Sequence, residues 1–322
     1  MSRGRALTGI KPTGTVHLGN YLGAIKPAIA LTAEFDAYYF IANYHALTTI
    51  QDPSLMRRYT LEVAAAWLAC GLDPSRAVIF RQTDVPEVTE LAWILGCVGG
   101  IGMLERSHSV KDARAKGMEI NIGTFSYPVL MAADILAYQS NIVPVGKDQK
   151  QHLEITRDLA QAFNHRFGDT LTLPDALIRD DVATVVGLDG QKMSKSYDNI
   201  IPLFAPAKRL RKLIMKMKTD SLPVEASKDP ESCNVFQLYR LFATPEQIEE
   251  LAAAYRAGGL GYGAAKQALF EAVDAELSGP RAVYESLLSD PEQIDKALVE
   301  GGKRARAVAS ETLNSVRSVT GL

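Results

Sequence analysis

The chain has 322 residues, of which 47% are hydrophobic and 22% charged, and its formal net charge is −2. This composition is that of an ordinary globular protein, long enough for about two domains and a large core. A nearly neutral chain excludes RNA binding driven by overall charge, so any RNA contact must depend on local basic patches. The three cysteines are far apart, which excludes a disulfide framework and fits a reducing cytoplasm. We find neither a signal peptide nor an apolar run long enough to span a membrane.

Short apolar runs alternate with helix-like segments in the first half of the chain. The runs are rich in β-branched or aromatic residues, which predicts buried strands. Asp52-Pro53 is typical of a helix N-terminus, and Gly71 and Gly168 are typical of helix ends. The alternation predicts an α/β fold with a Rossmann-like parallel sheet, covered on both faces, that binds ligands beyond the carboxyl ends of its strands. The predicted strands are 6–9, 37–42, 77–80 and 141–146, and the predicted helices are 53–71, 86–96 and 149–167.

The sequence changes in character after about Gly187. From there to the end helical patterns dominate, and Pro230, Gly258-Gly259 and Gly301-Gly302 separate them. We therefore predict a catalytic α/β domain over residues 1–187 and an all-helical domain over 188–322. The last helix is a candidate to pack back on the first domain. The predicted helices of this half are 206–218, 245–257, 262–277 and 303–319.

The first of two candidate phosphate-binding segments follows the first predicted strand. It reads Gly9-Ile-Lys-Pro-Thr-Gly14, then His17-Leu-Gly-Asn20, and a helix is expected to start there. Glycines let the backbone approach a ligand closely, and a helix N-terminus offers free N–H groups to phosphate. His17 and Asn20 would add side-chain donors. By itself the segment also fits a tight turn in any α/β protein.

The second candidate segment is Lys192-Met-Ser-Lys-Ser196, on a loop that follows Gly187 and Gly190. Two lysines on a glycine-flanked loop can close on a polyphosphate and stabilise the charge of a departing pyrophosphate. A solvated basic loop is the alternative reading for two lysines alone. The unusual residue string, paired with the first segment, favours the phosphate site.

These two segments resemble the paired motifs of class I aminoacyl-tRNA synthetases. His17–Asn20 resembles the HIGH motif, and 192–196 matches the KMSKS motif letter for letter. The segments 127–136 and 143–152, with Gly9-x-x-Pro-Thr-Gly14, closely resemble the bacterial tryptophanyl-tRNA synthetases, and this similarity covers essentially the whole chain. It implies activation of L-tryptophan with ATP to tryptophanyl-AMP and pyrophosphate, then transfer to tRNA(Trp). It also implies Mg²⁺ bound through ATP, a helical domain that binds the anticodon, and a homodimer.

The residue pattern around Asp134 is compatible with an indole site. Tyr127, Met131 and Asp134 are spaced i, i+4 and i+7, so they share one face of a helix. An indole needs apolar walls and one acceptor for its single N–H. A buried carboxylate in that role would reject phenylalanine, which leaves the acceptor unpaired, whereas tyrosine must be excluded by pocket shape. A helix-capping or salt-bridged aspartate is the alternative.

The resemblance also implies residue roles. It implies that Lys192, Lys195, Asn20 and His17 are catalytic. The implied tryptophan site comprises Gly9, Tyr127, Met131, Asp134, Val143 and Gln149. The implied ATP site comprises Lys11, Pro12, Thr13, Gly19, Asn20, Gly146, Lys147, Asp148, Val185, Lys192, Met193, Ser194, Lys195 and Ser196. No protein-bound metal is expected.

Several positions depart from the family pattern. The family commonly has glutamine at Lys11, threonine at His17 and glutamate at Lys147, and a phosphate-contacting lysine is expected at Ala113. These departures suggest a subgroup with altered ATP contacts. Cys233 resembles the first ligand of an iron–sulfur cluster that some relatives carry, but the later ligands are missing from the sequence. We therefore predict no cluster.

Other features allow two readings each. The run 208–218 has six basic residues and no acidic one, and Lys303, Arg304, Arg306 and Arg317 make the last helix basic. Both segments are either RNA-phosphate contacts or solvated faces of amphipathic helices. His45 is either a wall of the site or a packed core residue. The apolar segments 91–95 and 98–101 are either core or dimer surface.

Three other functions stay open at this point. Tyrosyl-tRNA synthetases share the fold and both motifs, so only an assay that depends on the amino acid distinguishes tyrosine from tryptophan as the substrate. A small-molecule nucleotidyltransferase would need neither the helical domain nor the 192–196 motif. A non-catalytic paralogue that binds RNA is disfavoured by the intact Lys192, Lys195 and Asp134, although Ala113 leaves room for it.

Overall fold

In this computed structural model the described residues are 3–115, 117, 119–146, 149–177 and 185–322, without the side chains of residues 108, 109 and 112. Within them lies a parallel sheet of five strands in the order β3-β2-β1-β4-β5. The predicted parallel α/β fold is therefore confirmed. The strands are β1 (Arg5–Ile10), β2 (Asp36–Ile41), β3 (Ala77–Arg81), β4 (Ile142–Pro144) and β5 (Asp175–Leu177).

The strand order reverses next to β1. β2 and β3 lie on one side of β1, and β4 and β5 lie on the other. Connections from neighbouring strands leave in opposite directions at such a point and open a crevice at the carboxyl ends. The segment after Ile10 and the segment after Pro144 therefore face the same crevice. Both contain residues predicted to bind ligands.

Helices cover both faces of the sheet and make up most of the second half of the chain. A π-helical turn (Tyr21–Ile25) joins the first two helices. The helices are α1 (Leu18–Asn20), α2 (Lys26–Leu31), α3 (Asn43–Ala46), α4 (Pro53–Ala69), α5 (Glu87–Val98), α6 (Ile101–Glu105), α7 (His108–Ala115), α8 (Ile122–Leu136), α9 (Lys150–Phe167), α10 (Ala207–Met215), α11 (Asn234–Tyr239), α12 (Pro245–Ala257), α13 (Tyr262–Ser289) and α14 (Pro291–Thr320). No described helix is both long and apolar enough to cross a membrane.

Alternate residues of β2 belong to two hydrophobic cores, as the period of a strand requires. Tyr39 packs on the side of α4, where its ring stacks on Trp67 with the centroids 4.9 Å apart. Tyr38 and Phe40 pack on the other side, against residues of α5, α8 and α9. The carboxyl edge of the sheet is thus held between two packed layers.

The last helix does not begin where the glycines predicted. α14 runs through Gly301 and Gly302, so the predicted break there is wrong. A Cβ atom on Gly301 would lie 1.8 Å from the carbonyl oxygen of Ile79, in edge strand β3. Glycine is therefore required for the helix to approach the strand backbone. Similarly, α13 continues through Pro280, beyond the predicted end at residue 277.

The arginines of α14 bind the α/β layer. Arg306 Nε lies 2.7 Å from a carboxylate oxygen of Glu87, and Arg317 pairs with Glu90 at 2.5 Å. Arg304 donates to the Pro74 carbonyl at 2.9 Å. These contacts dock the helix, and binding of RNA by its basic residues stays a prediction.

Candidate active site

The Asp134 carboxylate lies buried at the carboxyl edge of the sheet. Its side chain is on α8, and the residue is only 1% exposed. Oδ2 accepts hydrogen bonds from His45 Nε2 at 3.0 Å and from Gln82 Nε2 at 2.7 Å. Burial raises the pKa of Asp134, and these two hydrogen bonds act in the opposite direction by favouring the carboxylate. Asp134 is therefore a buried acceptor with a fixed orientation.

Two neighbouring strands position the donors. His45 lies in α3, directly after β2, and Gln82 directly follows β3. The side-chain oxygen of Gln82, Oε1, accepts the backbone N–H of Tyr44 at 2.9 Å, which fixes the side-chain amide so that its NH₂ group faces Asp134. Because β2 and β3 are adjacent and parallel, both donors arrive at the same edge of the sheet. His45 is buried and contacts two residues predicted for the tryptophan site, Asp134 and Tyr127. These contacts fit both readings of His45, as a wall of the site and as a packed residue.

Tyr127 lies between the buried carboxylate and the first glycine-rich segment. Its ring centroid is 4.2 Å from that of His45. The ammonium of Lys11 lies 5.3 Å from the centroid of the Tyr127 ring and 3.5 Å from Thr48 Oγ1. Burial lowers the pKa of Lys11 and raises that of Tyr127 to about 12. Lys11 thus contacts the α8 side of the crevice, and its predicted role in ATP binding stays a prediction.

The glycine-rich segment and the 192–196 motif meet across the crevice. Gly14 has φ +121°, and a Cβ atom there would lie 3.5 Å from Lys195 Nζ. The turn is closed by Thr13 N–H, which donates to the Lys11 carbonyl at 2.9 Å, and Pro12 is buried beneath it. The two segments predicted to bind phosphate are therefore adjacent.

His17 is neutral at physiological pH in this environment. Burial, and then the charge of Lys195, lower its pKa to about 4. Its Nδ1 is buried and makes no hydrogen bond to a described residue. Asn20 is engaged locally, because its Oδ1 accepts the His17 backbone N–H at 3.1 Å. A Cβ atom on Gly19 would lie 2.9 Å from His17 Nδ1, so glycine leaves room for the ring.

A short hairpin carries the 192–196 motif. Met193 N–H donates to the Val185 carbonyl at 2.8 Å, and Gly187 N–H donates to the Gln191 carbonyl at 2.7 Å. Met193 is buried, as is Val185, whereas Lys192 is exposed. The hairpin therefore anchors the motif through its methionine and leaves Lys192 at the surface.

The side chain of Asn199 holds the backbone of this motif by hydrogen bonds. Its Oδ1 accepts Ser194 N–H at 2.8 Å, and its Nδ2 donates to the Lys192 carbonyl at 3.1 Å and to Asp189 at 2.7 Å. The Ser194 and Ser196 hydroxyls lie 2.8 Å apart. One buried amide therefore fixes the backbone on both sides of Met193. The side chains of the two serines stabilise the turn itself.

Some residues predicted for the tryptophan site line the sheet instead of facing open space. Gly9 is an exception because it is exposed, although a Cβ atom on it would lie 2.4 Å from the ring of Phe40. Val143 is buried within the core on the α8 side, and Met131 is half-buried next to that core. Their contact with an amino acid stays a prediction.

The segment after β4 is only partly described. Gly146 is exposed, and its carbonyl accepts Gln149 N–H at 2.9 Å, just before α9. Lys147 and Asp148, which were predicted for ATP, lie outside the described residues.

Comparison with known proteins agrees with this geometry. The family model for class I tRNA synthetases (W and Y) matches residues 2–278. The chain belongs to this family. The tryptophan–tRNA ligase of Rhodopirellula baltica is 51% identical over 318 residues, with 99% of each chain covered. That of Xanthomonas campestris is also 51% identical, over 99% of this chain and 76% of the relative.

Solved structures extend the likeness to three dimensions. The tryptophanyl-tRNA synthetase of Campylobacter jejuni, complexed with ADP and tryptophan, has a TM-score of 0.93 and 46% identity, and covers 99% of this chain and 100% of its own. A tyrosyl-tRNA synthetase from Archaeoglobus fulgidus has a TM-score of 0.68 at 21% identity, over 87% of this chain and 90% of its own. That likeness is one of fold alone.

Sequence reasoning missed three residues of this synthetase's site. Gln82 holds Asp134, Asn199 holds the 192–196 motif, and Glu62 contributes charge next to Lys195. Gln82 carried one usable signal, since a polar residue directly after a buried strand lies at the ligand edge of a parallel sheet. Glu62 carried none, because it is one of several charged residues on a long helix.

Proposed function

We propose that this chain is a tryptophan–tRNA ligase, which forms tryptophanyl-AMP and pyrophosphate from L-tryptophan and ATP and transfers tryptophan to tRNA(Trp). One observation supports the amino-acid assignment most strongly: a buried carboxylate, Asp134, fixed by two hydrogen bonds at the carboxyl edge of the sheet. The high identity to tryptophan–tRNA ligases over the full chain agrees with it.

The carboxylate suits the single N–H of an indole. Both hydrogen bonds from described residues end on Oδ2, and Oδ1 then accepts the indole N–H. Phenylalanine would leave this buried acceptor unpaired, which is strongly unfavourable. Tyr127 and the half-buried Met131 provide aromatic and apolar walls on the same helix. Tyrosine, which can also donate, is excluded by the shape that these walls give the pocket.

Activation needs positioning and charge more than acid–base chemistry. The tryptophan carboxylate is already an anion and attacks the α-phosphorus of ATP in line, with pyrophosphate leaving. Lys195, beside the Gly14 turn, and the exposed Lys192 stabilise the charge that develops on the leaving pyrophosphate. His17 acts as a neutral hydrogen-bonding group, because its pKa is about 4. Mg²⁺ enters bound mainly to ATP oxygens and water.

The second half of the chain is proposed to hold the tRNA anticodon. All six basic residues of the run 208–218 are exposed, on α10 and the segment that follows it. Such a surface makes salt-dependent phosphate contacts without reading sequence. We also propose that the boundary between the catalytic and helical domains lies at residue 187. The helical domain is proposed to bind no iron–sulfur cluster.

A second copy of the chain is the proposed partner. Trp93 is 76% exposed and Ile101 68%, and Cys97 between them is also exposed. Apolar surface of this kind, on α5 and α6, suits a homodimer interface. We also propose that the protein works in the cytoplasm, where its free cysteines remain reduced.

Exchange of labelled pyrophosphate into ATP tests the function. The purified protein is assayed with each aromatic amino acid in turn, and then for charging of tRNA(Trp). We expect exchange with tryptophan only. Exchange that depends on tyrosine would make the chain a tyrosyl enzyme, and no exchange with any of the three would make it a non-catalytic relative.

A further inference from the structure

A second polar cavity lies at the opposite edge of the sheet from the active site. Its volume is about 480 Å³, within the range of about 300–1,000 Å³ that is usual for small-molecule sites. Arg3 and Arg5 line it at the start of β1, Arg76 just before β3, and Asn141 just before β4. These residues therefore lie at the amino ends of the strands, where the proposed ligase reaction has no function for them.

The charge of the lining residues is unbalanced. Three guanidinium groups face the cavity, and the lining contains a single carboxylate, that of Asp36. Asp36 lies 3.7 Å from Arg5 Nε and offsets that one cation. Asp73 is exposed and is not part of the lining, and its charge partly offsets that of Arg76.

Several donors remain available to a ligand. Arg3 uses Nη2 to hold the Ala33 carbonyl at 2.7 Å, and Arg5 uses Nη1 to hold the Tyr138 carbonyl at 3.0 Å. These bonds fix both guanidinium groups in place and leave their other N–H groups. The guanidinium group of Arg76 makes no hydrogen bond to a described residue, and Arg76 is exposed. A guanidinium group has a planar set of donors that matches the oxygens of phosphate.

We propose that this cavity binds a small phosphate-bearing anion, of the chemical class of inorganic phosphate and pyrophosphate. The three arginines supply the charge and the donors, and Arg5 is held in place by the strand it begins. The volume, which is that of a small-molecule site, favours a small anion over an extended RNA backbone. The proposal is independent of the ligase reaction, because none of these residues belongs to that site.

Isothermal titration calorimetry with inorganic pyrophosphate, then with inorganic phosphate, tests the proposal. The full chain carrying both Lys192→Ala and Lys195→Ala is used, so that binding at the active site is suppressed. We expect one saturable binding event to remain in this protein. Adding Arg76→Glu should weaken it at least tenfold, and Arg3→Gln should weaken it less. The matched control Arg166→Glu, an exposed arginine on α9, should leave it unchanged.

Two results would overturn the proposal. One is the absence of saturable pyrophosphate binding in the double-lysine variant, and the other is an unchanged dissociation constant in both Arg76→Glu and Arg3→Gln. Filter binding of tRNA provides the remaining comparison. In the second case, weaker tRNA binding by Arg76→Glu would show that the cavity contacts an RNA phosphate instead of a small anion. Pyrophosphate exchange by wild-type protein reports separately on the ligase function.

Discussion

The two ends of the active-site crevice are built in different ways. At the end proposed to bind the amino acid, the carboxylate of Asp134 is 1% exposed, and side chains that follow two neighbouring strands hold it on α8. At the nucleotide end, Lys192 is exposed and Lys195 is half-buried, on a loop whose backbone is fixed by Asn199. At the first end hydrogen bonds hold a side chain, whereas at the second end the bonds from Asn199 hold the backbone of the loop.

This difference matches the two tasks proposed for them. Selection of one amino acid requires a polar group that cannot turn towards another partner, because discrimination depends on leaving it unpaired with the wrong substrate. Stabilising a leaving pyrophosphate requires charges that can follow atoms as they separate. Substitutions at one end should therefore change substrate affinity, and substitutions at the other end should change the rate of activation.

The largest effect is expected at Lys195. Lys195→Ala removes a cation that acts on the developing charge of pyrophosphate, so the rate constant of tryptophan-dependent exchange should fall by about 10²–10³. The dissociation constant for tryptophan should change little. Exchange kinetics and equilibrium tryptophan binding are measured together. The control is Lys212→Ala, an exposed lysine on α10. An unchanged exchange rate would remove Lys195 from the mechanism.

A smaller effect is expected at Asp134, and it concerns the affinity for tryptophan and not the rate of exchange. Asp134→Asn keeps the shape but removes the charged acceptor, whose hydrogen bonds are worth about 1.5–3 kcal/mol each. Tryptophan should bind about 10–100-fold more weakly, while ATP binding is retained. The variant Asp158→Asn on α9, where the carboxylate is exposed, serves as the control. If tryptophan affinity is unaffected, the indole does not bind this carboxylate.

The sequence was sufficient for features that depend on local pattern. The parallel sheet follows from alternating apolar runs and helices, and the two phosphate segments are short strings with their own chemistry. The spacing of Tyr127 and Asp134 placed both on one face of a helix, and α8 has them there. Each of these inferences needs only residues that are close in the chain.

Features that depend on distant segments were missed. β5 is three residues long and partly exposed, so it has no pattern apart from its pairing with β4. Gly301 looks like a helix break until Ile79 is known to lie against it. Gln82 becomes a ligand of Asp134 only because β3 lies beside β2. The contacts that stabilise these residues join segments that are far apart in the sequence, so a short stretch of sequence does not reveal them.

The pKa of His17 gives a prediction that concerns stability. Because its pKa in the fold is about 4 and its ordinary value is 6.5, the unfolded chain takes up the proton first as the pH falls. The free energy of unfolding should therefore decrease between pH 6.5 and pH 4, by about 1–2 kcal/mol at pH 5 relative to pH 7. In the His17→Gln variant this part of the fall in the free energy of unfolding should be absent. Urea unfolding at several pH values measures it, and equal pH dependence in both proteins would contradict the buried neutral imidazole.

The smallest effect is expected at Glu62, on α4. Its Oε2 is buried without a hydrogen bond to a described residue. Burial lowers the pKa of Lys195, and the charge of Glu62 opposes this shift. If Lys195 binds ATP as proposed, Glu62 competes with ATP for the same ammonium. Glu62→Gln should lower the KM for ATP by about two- to fivefold with little change in kcat, since partly exposed ion pairs are worth at most about 1 kcal/mol.

The chain offers a matched control for this change. Glu62 lies 3.5 Å from Arg58 one helical turn away, and Glu154 lies 3.8 Å from Lys150 in the same i, i+4 relation on α9. Glu154→Gln removes an equivalent helix pair far from the motif and should leave the KM for ATP unchanged. If Glu62→Gln instead raises this KM, the carboxylate positions Lys195 for ATP and does not compete with it. The nucleotide end would then be as firmly held in its side chains as the amino-acid end.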